Sequence, residues 1–312
     1  MTERELLYVK TVAEEGSMSK AARKLFLSQP SLSKCIQGIE STLGTKLFKR
    51  TNTGLLLTFA GERYYKVATE ILKIYNDFEI EVSDINNLKK GRLIIGTTRY
   101  LATLLLPIAL PVFKQKCPNI EIVLIEENST ELEKTLLSGK LDFAIIHTAP
   151  SREFFRSGNL NFIPLLKDPF MLTTRQGHPL NQYAKKMDGC SYPWIDFSLF
   201  AEEPFILVSR GQKIREVSEL IFQKANMEPN TTLTTKSYET ARRLACEGIG
   251  VTFVPLQYSQ IFVGAYQPSY YFIDDKYLPY WTLGIAVKKD AYVSKAAKLF
   301  IRIIGKQFDI EL

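Results

Sequence analysis

The chain has 312 residues, 46% of them apolar and 23% charged, with 40 Lys and Arg against 33 Asp and Glu, a formal net charge of +7. These are the proportions of a globular protein, not of a disordered or fibrous one, and the length predicts two or three domains. Glu3, Arg4 and Glu5 near the start exclude signal-peptide character, no apolar run is long enough to span a bilayer, and Cys35, Cys117, Cys190 and Cys246 lack metal-ligand spacing, so a cytoplasmic protein with reduced thiols is expected, a redox-sensing pair staying open.

A helical pattern opens the chain, and residues 16–58 then carry the densest information. Ser17 is an N-cap for a helix through Met18, Ala21, Ala22 and Leu25, and the small pair Ala21-Ala22 lets a second helix cross closely. Phe26-Leu27 reads as a short apolar connection. Ser28 caps the second helix, with Pro30 in its first turn, where the missing N–H costs nothing. Leu32, Ile36 and Ile39 are spaced for burial, while Ser28, Gln29, Pro30, Ser31, Ser33, Lys34 and Gln37 lie on the other face, suited to base edges and phosphates. Leu43-Gly44 ends that helix, Leu47 and Phe48 read as core, and Lys49, Arg50 and Thr51 enter a hairpin turning at Asn52-Thr53-Gly54 and returning over 55–58. This is the layout of a winged helix-turn-helix, whose partner is double-stranded DNA. A helical hairpin with a solvated basic face is the plainer alternative; the small pair, the Ser-Gln-Pro cap and the basic hairpin together favour the DNA reader. Nine basic residues against five acidic ones within residues 1–60 agree with a polyanionic partner.

From about Ala60 to Leu88, Tyr64, Ala68, Ile71, Tyr75, Phe78, Val82 and Ile85 recur in alternating steps of four and three. This heptad seam predicts a dimerising helix; the alternative is a helix packed on its own domain. Lys89-Lys90-Gly91 reads as its end and as a hinge.

Beyond the hinge the pattern changes to strands alternating with helices. Strands at 93–96, 120–125 and 141–146 alternate with helices at 101–117 and 129–138, the first containing Pro107 and Pro111, where a break or kink is expected. This β-α-β-α-β order predicts a parallel sheet. A second half starts near Phe162, with strands at 170–173, 205–208, 231–235 and 251–254 and helices at 214–225 and 237–247; a strand at 280–286 and a helix at 291–308 close the chain. Two such halves enclose a cleft at their strand ends.

At this point the whole chain resembles the LysR-type transcriptional regulators. The N-terminal match runs through Ala13-Glu14-Glu15-Gly16-Ser17, Ala21-Ala22, Leu25, Ser28-Gln29-Pro30-Ser31-Leu32-Ser33, Ile39-Glu40, Leu43-Gly44, Leu47-Phe48, Arg50, Leu57-Thr58 and Ala60-Gly61. Looser landmarks follow at Gly91-Arg92-Leu93, Leu105-Leu106-Pro107, Phe113, Pro118, Gly139-Lys140-Leu141-Asp142, Gly248-Ile249-Gly250-Val251 and Pro255. The resemblance implies a mixed fold. Residues 1–59 would form an all-α winged helix-turn-helix, 60–90 a linker and dimerisation helix, and 91–312 an α/β effector domain of two Rossmann-like halves like a periplasmic binding protein. The first half would take 91–161 and 268–312, the second 162–267.

It further implies a homodimer that pairs into a tetramer and a small-molecule inducer, with no cofactor and no metal. Lys34 stands where the family often has arginine, which replaces a bidentate fork by a point donor. The inducer cleft maps onto Thr97, Thr98, Arg99 and Tyr100, then Asn128 and Ser129, then His147 and Thr148, with Ser209, Gln212, Gly248 and Ile249 from the second half. Hydroxyls and backbone N–H groups there suit a carboxylate or similar anion. Arg99 and the bulky Tyr100 depart from the family's habit, and if both face inward the pocket is smaller and more cationic; the alternative pairs Arg99 with a surface acid. An enzyme is the competing class, but His147 and His178 have no metal-ligand spacing, and no phosphate loop or nucleophile elbow is present. A small-molecule binding protein without DNA function is the third.

Overall fold

Helix α1 (Glu3–Glu15) begins with a reciprocal cap in which Thr2 Oγ1 accepts from the Glu5 N–H and Glu5 accepts from the Thr2 N–H at 2.7 Å, and it ends on Gly16 at φ 58°. The computed structural model describes residues 2–51, 54–85, 91–150, 158–261 and 267–311, in two units, Met1–Asn87 and Leu88–Leu312.

In the first unit, α2 (Met18–Lys24) and α3 (Gln29–Leu43) start on the side-chain caps of Ser17 and Ser28, and α3 ends on left-handed Gly44. Strands β1 (Phe48–Thr51) and β2 (Gly54–Leu57) form the antiparallel wing, and α4 (Phe59–Ile85) follows. The expected turn residues Asn52 and Thr53 and the hinge at Lys89-Lys90 lie outside the described residues. Leu6, Val9, Val12, Ala21, Ala22, Leu32, Ile36, Ile39, Leu47, Tyr64 and Ala68 make one core. A β-carbon on Gly61 would overlap the Leu47 carbonyl oxygen, so only glycine lets α4 approach the wing this closely. The apolar connection at Phe26-Leu27 divides: Leu27 packs on the core, while Phe26, at φ 56°, is 96% exposed.

The seam of α4 also divides. Tyr64 and Ala68 are buried in the unit's own core and Ile71 packs against it, so the first stretch of the heptad pattern is intradomain. Further along, Ile74, Tyr75, Phe78 and Val82 are exposed, whereas the side chain of Ile85 lies outside those described.

In the second unit, β3 (Gly91–Thr97) lies between β4 (Ile120–Glu126) and β5 (Phe143–Thr148), parallel to both. Helices α5 (Arg99–Lys116) and α6 (Ser129–Leu137) are the crossovers. Pro107 and Pro111 do not interrupt α5. Both are exposed, as is Thr103, so the carbonyls that lose a donor face water.

The sheet is mixed. Strand β6 (Leu160–Thr174) and β11 (Tyr280–Lys288) are antiparallel to each other, and β11 is antiparallel to β5. The 15-residue β6 runs through both halves: its first part pairs with β11, and Phe170–Thr174 pairs with β9 (Thr252–Pro255) and β10 (Ser269–Tyr271). Residues 269–271, read from sequence as part of the first half, therefore pair within the second. Strands β7 (Pro204–Val208) and β8 (Asn230–Thr235) are parallel, with α7 (Lys213–Ala225), α8 (Tyr238–Cys246) and α9 (Leu256–Ile261) in the same half. Helix α10 (Lys295–Lys306) packs with α5 on the first half, where Phe113, Phe143 and Phe300 meet; Phe197, Phe205, Phe222 and Phe253 centre the second core.

Candidate functional site

The polar face of α3 is open. Ser28, Gln29, Pro30, Ser31, Lys34 and Gln37 are exposed and Ser33 is half-buried, while Leu32, Ile36 and Ile39 hold the opposite face in the core. Ser28 Oγ accepts from the Ser31 N–H and lies 2.7 Å from Ser31 Oγ. Gln29 is oriented: its Oε1 accepts from Ser19 Oγ at 2.9 Å, which leaves the amide N–H groups outward. Lys49, Arg50 and Thr51 are exposed along β1.

Sequence reasoning gave Glu40 no role beyond a family match, yet it ties α3 to the wing. Its Oε1 accepts from the backbone N–H groups of Leu47 at 2.9 Å and Phe48 at 3.3 Å, and its Oε2 accepts from Lys46 Nζ at 2.7 Å. Burial pushes the Glu40 carboxyl up, but Lys46 and the two backbone donors outweigh it and hold it below the usual range.

The second unit contains a cavity of about 510 Å³. Four helices direct their N-termini into it: the N-caps Thr98, Asn128, Gln212 and Ser237 of α5, α6, α7 and α8 all line the cavity. Thr98, Asn128 and Ser237 each accept from a backbone N–H of the first turn, whereas Gln212 makes no side-chain cap bond. Helix dipoles and first-turn N–H groups give this space a positive potential. Side-chain charge adds no net sign: Arg99, Lys213 and Lys236 face Glu126, Glu127 and Glu239. Lys213 is paired with Glu133 at 3.5 Å and Glu216 at 3.2 Å, the first contact tying α7 of one half to α6 of the other. Glu239 is held by Arg242 and Arg243 at 2.7 and 2.6 Å. Arg99 is exposed at the rim and makes no ion pair among the described residues.

Of the expected cleft residues, Thr98, Arg99, Tyr100, Asn128, Ser129, His147 and Gln212 come together here. Thr97 and Thr148 are buried at strand ends and do not line the space. Ser209 is turned away: its N–H and Oγ both donate to the Thr235 carbonyl, closing the end of β7 on β8. Gly248 and Ile249 follow the C-terminus of α8, and the cavity holds that helix's N-terminus, about 13 Å away at the usual rise for nine residues. Gly248 has φ 78°, and a β-carbon there would meet the Arg175 side chain, so it serves a turn.

Sequence reasoning missed Lys213, Ser237, Tyr238, Tyr258 and Trp281, all of which line the cavity. Ser237 carried a usable signal, a capping residue directly after a strand, the same local pattern as Thr98 and Asn128. Tyr258 and Trp281 carried none, being aromatic positions brought in by α9 and β11. Of the two readings of Arg99, the one that turns it toward the cavity agrees with its place in the lining, where three acids stand beside three bases. Burial pushes the His147 imidazole down to about 3, so it is neutral. His178 stacks on Phe200 and lies 3.4 Å from Glu203, away from the cavity. Among the described residues the four cysteines are free thiols.

Comparison with known proteins covers both units. Residues 4–62 match the family model described as bacterial regulatory helix-turn-helix protein, lysR family, and residues 86–309 match the LysR substrate binding domain. An uncharacterized HTH-type transcriptional regulator of Bacillus subtilis (strain 168), YcgK, is 27% identical over 305 residues, 95% of this chain and 91% of that one. A full-length cysteine variant of OxyR from Pseudomonas aeruginosa superposes with a TM-score of 0.70 at 23% identity, covering 97% of this chain and 94% of that one. CbnR, solved in complex with its target DNA, gives a TM-score of 0.63 at 20% identity, covering 98% and 99%. At these identities the two structures speak for the fold.

Proposed function

The chain belongs to the LysR-type transcriptional regulators, with a helix-turn-helix DNA-binding domain and an effector-binding domain, and from that premise we propose that its effector is a small anion seated in the α/β cavity. Its activity is regulation of transcription rather than catalysis. The observation that carries the effector reading is the convergence of four helix N-termini on one cavity whose side-chain charges cancel. With no net side-chain charge, the oriented backbone decides the sign of the ligand. Two of those helices belong to each half, so a ligand held by all of them prefers one arrangement of the halves over others, which is the differential affinity a switch requires.

In the same reading, Gln29, Ser33, Lys34 and Gln37 meet base edges, while Ser28, Pro30, Ser31, Lys49, Arg50 and Thr51 position the unit on the phosphates. The exposed stretch of α4, with Ile74, Tyr75, Phe78 and Val82, is an apolar stripe that a second copy covers, giving a homodimer that can pair further into a tetramer. Residues 1–59 would read DNA, 60–90 dimerise and 91–312 bind the effector.

The test is a thermal-shift screen of the full-length protein with organic carboxylates and their neutral amides. Carboxylates should raise the melting temperature and the matched amides should not. Ser237→Asp keeps a good N-cap but places a carboxylate in the site, so it should abolish the response while preserving the unliganded melting temperature. Amides that stabilise as well as the acids, or an unchanged response in Ser237→Asp, would refute the anion.

A further inference from the structure

One wall of the cavity is made of rings. Tyr100 lies 4.8 Å from Tyr258 and 6.0 Å from Tyr238 between ring centroids, and Tyr238 lies 4.5 Å from Tyr258. Beside them His147 stacks on Trp281, 3.6 Å apart and within 10° of parallel. Trp281 is fixed from behind, its indole N–H donating to the buried Asp168. All five rings line the cavity.

Two polar atoms of this wall are buried and have no hydrogen-bond partner among the described residues, the Tyr100 hydroxyl and His147 Nε2. Tyr100 is 9% exposed and His147 is 2% exposed. Buried polar groups are nearly always satisfied, so two unpaired polar atoms on residues that line a ligand cavity mark where a ligand's polar group belongs. Both groups are neutral: burial raises the Tyr100 phenol, and it lowers the His147 imidazole to about 3.

We propose that this wall takes an aromatic ring bearing a hydroxyl, so that the effector is a hydroxyaromatic carboxylate with its acid group at the helix N-termini and its hydroxyl between Tyr100 and His147. The carboxylate rests on the reading of the preceding subsection; the ring and the hydroxyl rest on the wall alone. Five ring systems favour a planar π-system over a saturated one of equal size, through edge and face contacts. A hydroxyl has one donor and two acceptor positions, so it satisfies the Tyr100 phenol together with either tautomer of neutral His147. A carbonyl, which only accepts, leaves an accepting imidazole nitrogen unpaired.

The test is titration calorimetry of the full-length protein with benzoate, the three hydroxybenzoates, cyclohexanecarboxylate and phenol. At least one hydroxybenzoate should bind about tenfold or more tighter than benzoate, since a site built around a hydroxyl discriminates strongly against its absence. Benzoate should bind tighter than cyclohexanecarboxylate. Tyr100→Phe keeps the ring and removes one of the hydroxyl's two partners; it should cut that hydroxybenzoate's advantage over benzoate severalfold. Cyclohexanecarboxylate binding as tightly as the best hydroxybenzoate overturns the proposal, as does a hydroxyl preference that Tyr100→Phe leaves undiminished or that is absent from the wild type. Carboxylates that bind without such preferences sink this inference and leave the anion site standing. Phenol binding in a Tyr100-dependent way, with every carboxylate inert, does the reverse. Silence from all six probes overturns both.

Discussion

The indole N–H of Trp281 donates to Asp168 Oδ2 at 2.8 Å across 113 residues of chain. The bond joins β6 to its neighbour β11 and holds the ring on which His147 stacks. The other oxygen of Asp168 accepts from the Gln257 N–H at 3.1 Å, so one carboxylate positions both the cavity wall and the start of α9.

Burial raises the Asp168 carboxyl to about 6, against the opposing bonds from Trp281, Gln257 and Leu256. From its ordinary value of 3.8 up to about 6 the native state holds a proton that the unfolded chain has released. The contribution of Asp168 is therefore fully present below 3.8 and is lost as pH rises through about 6, by up to about 3 kcal/mol. Both tryptophans lie in the second unit, so denaturant titrations followed by tryptophan fluorescence isolate it. Asp168→Asn should flatten the stability profile between pH 4 and pH 6.5; a profile identical to the wild type would show that this carboxyl does not titrate there.

Glu40 has the opposite sign. Its carboxyl is depressed, so the stability it adds is present above the ordinary value of 4.5 and is lost as pH falls through the lower native value. Glu40→Ala strands the N–H groups of Leu47 and Phe48 and should destabilise the first unit by about 2–3 kcal/mol. Hydrogen exchange should accelerate in the peptides spanning the wing and leave the second unit unaffected.

Ser19 and Gln29 should act as one unit in DNA recognition. Gln29→Ala is expected to lose about 1–3 kcal/mol of discrimination between operator and random duplex. Ser19→Ala frees the Gln29 side chain and should lose part of the same energy, so the double variant is no worse than Gln29→Ala. Lys49→Ala and Arg50→Ala should weaken all duplexes alike and lower the salt slope by about one each. Additive effects of Ser19 and Gln29 in gel-shift titrations would separate the two residues.

The exposed part of α4 should carry self-association. Ile74→Glu with Phe78→Glu places two charges on the open stripe and should dissociate the dimer in sedimentation velocity, with the melting of the first unit unchanged. Ile71→Glu should lower that melting temperature instead, because Ile71 packs on the unit's own core. A wild-type protein that sediments as a monomer at high concentration would remove this role from the helix.

Local chemistry was legible in the sequence. Ser17 and Ser28 cap the helices that follow them, Gly44 ends α3 in the left-handed conformation, and Leu32, Ile36 and Ile39 bury the face their spacing predicts. These features depend on residues within one turn of each other, and the same locality made the winged helix-turn-helix readable.

Only the tertiary structure decided which strand and helix ends meet. Ser209 and Gly248 stood at chain positions that suit a cleft, yet one closes β7 on β8 and the other caps the far end of α8. Tyr258 and Trp281 reach the cavity because β6 passes through both halves and carries Asp168 to its centre, a pairing that no local pattern encodes. The heptad seam shows the same limit: Tyr64 and Phe78 fall on one stripe of one helix, and the position of α1 and the rest of the first core buries the former and leaves the latter in solvent. Periodicity determines which face of a helix is apolar; what covers that face depends on contacts between residues distant in sequence.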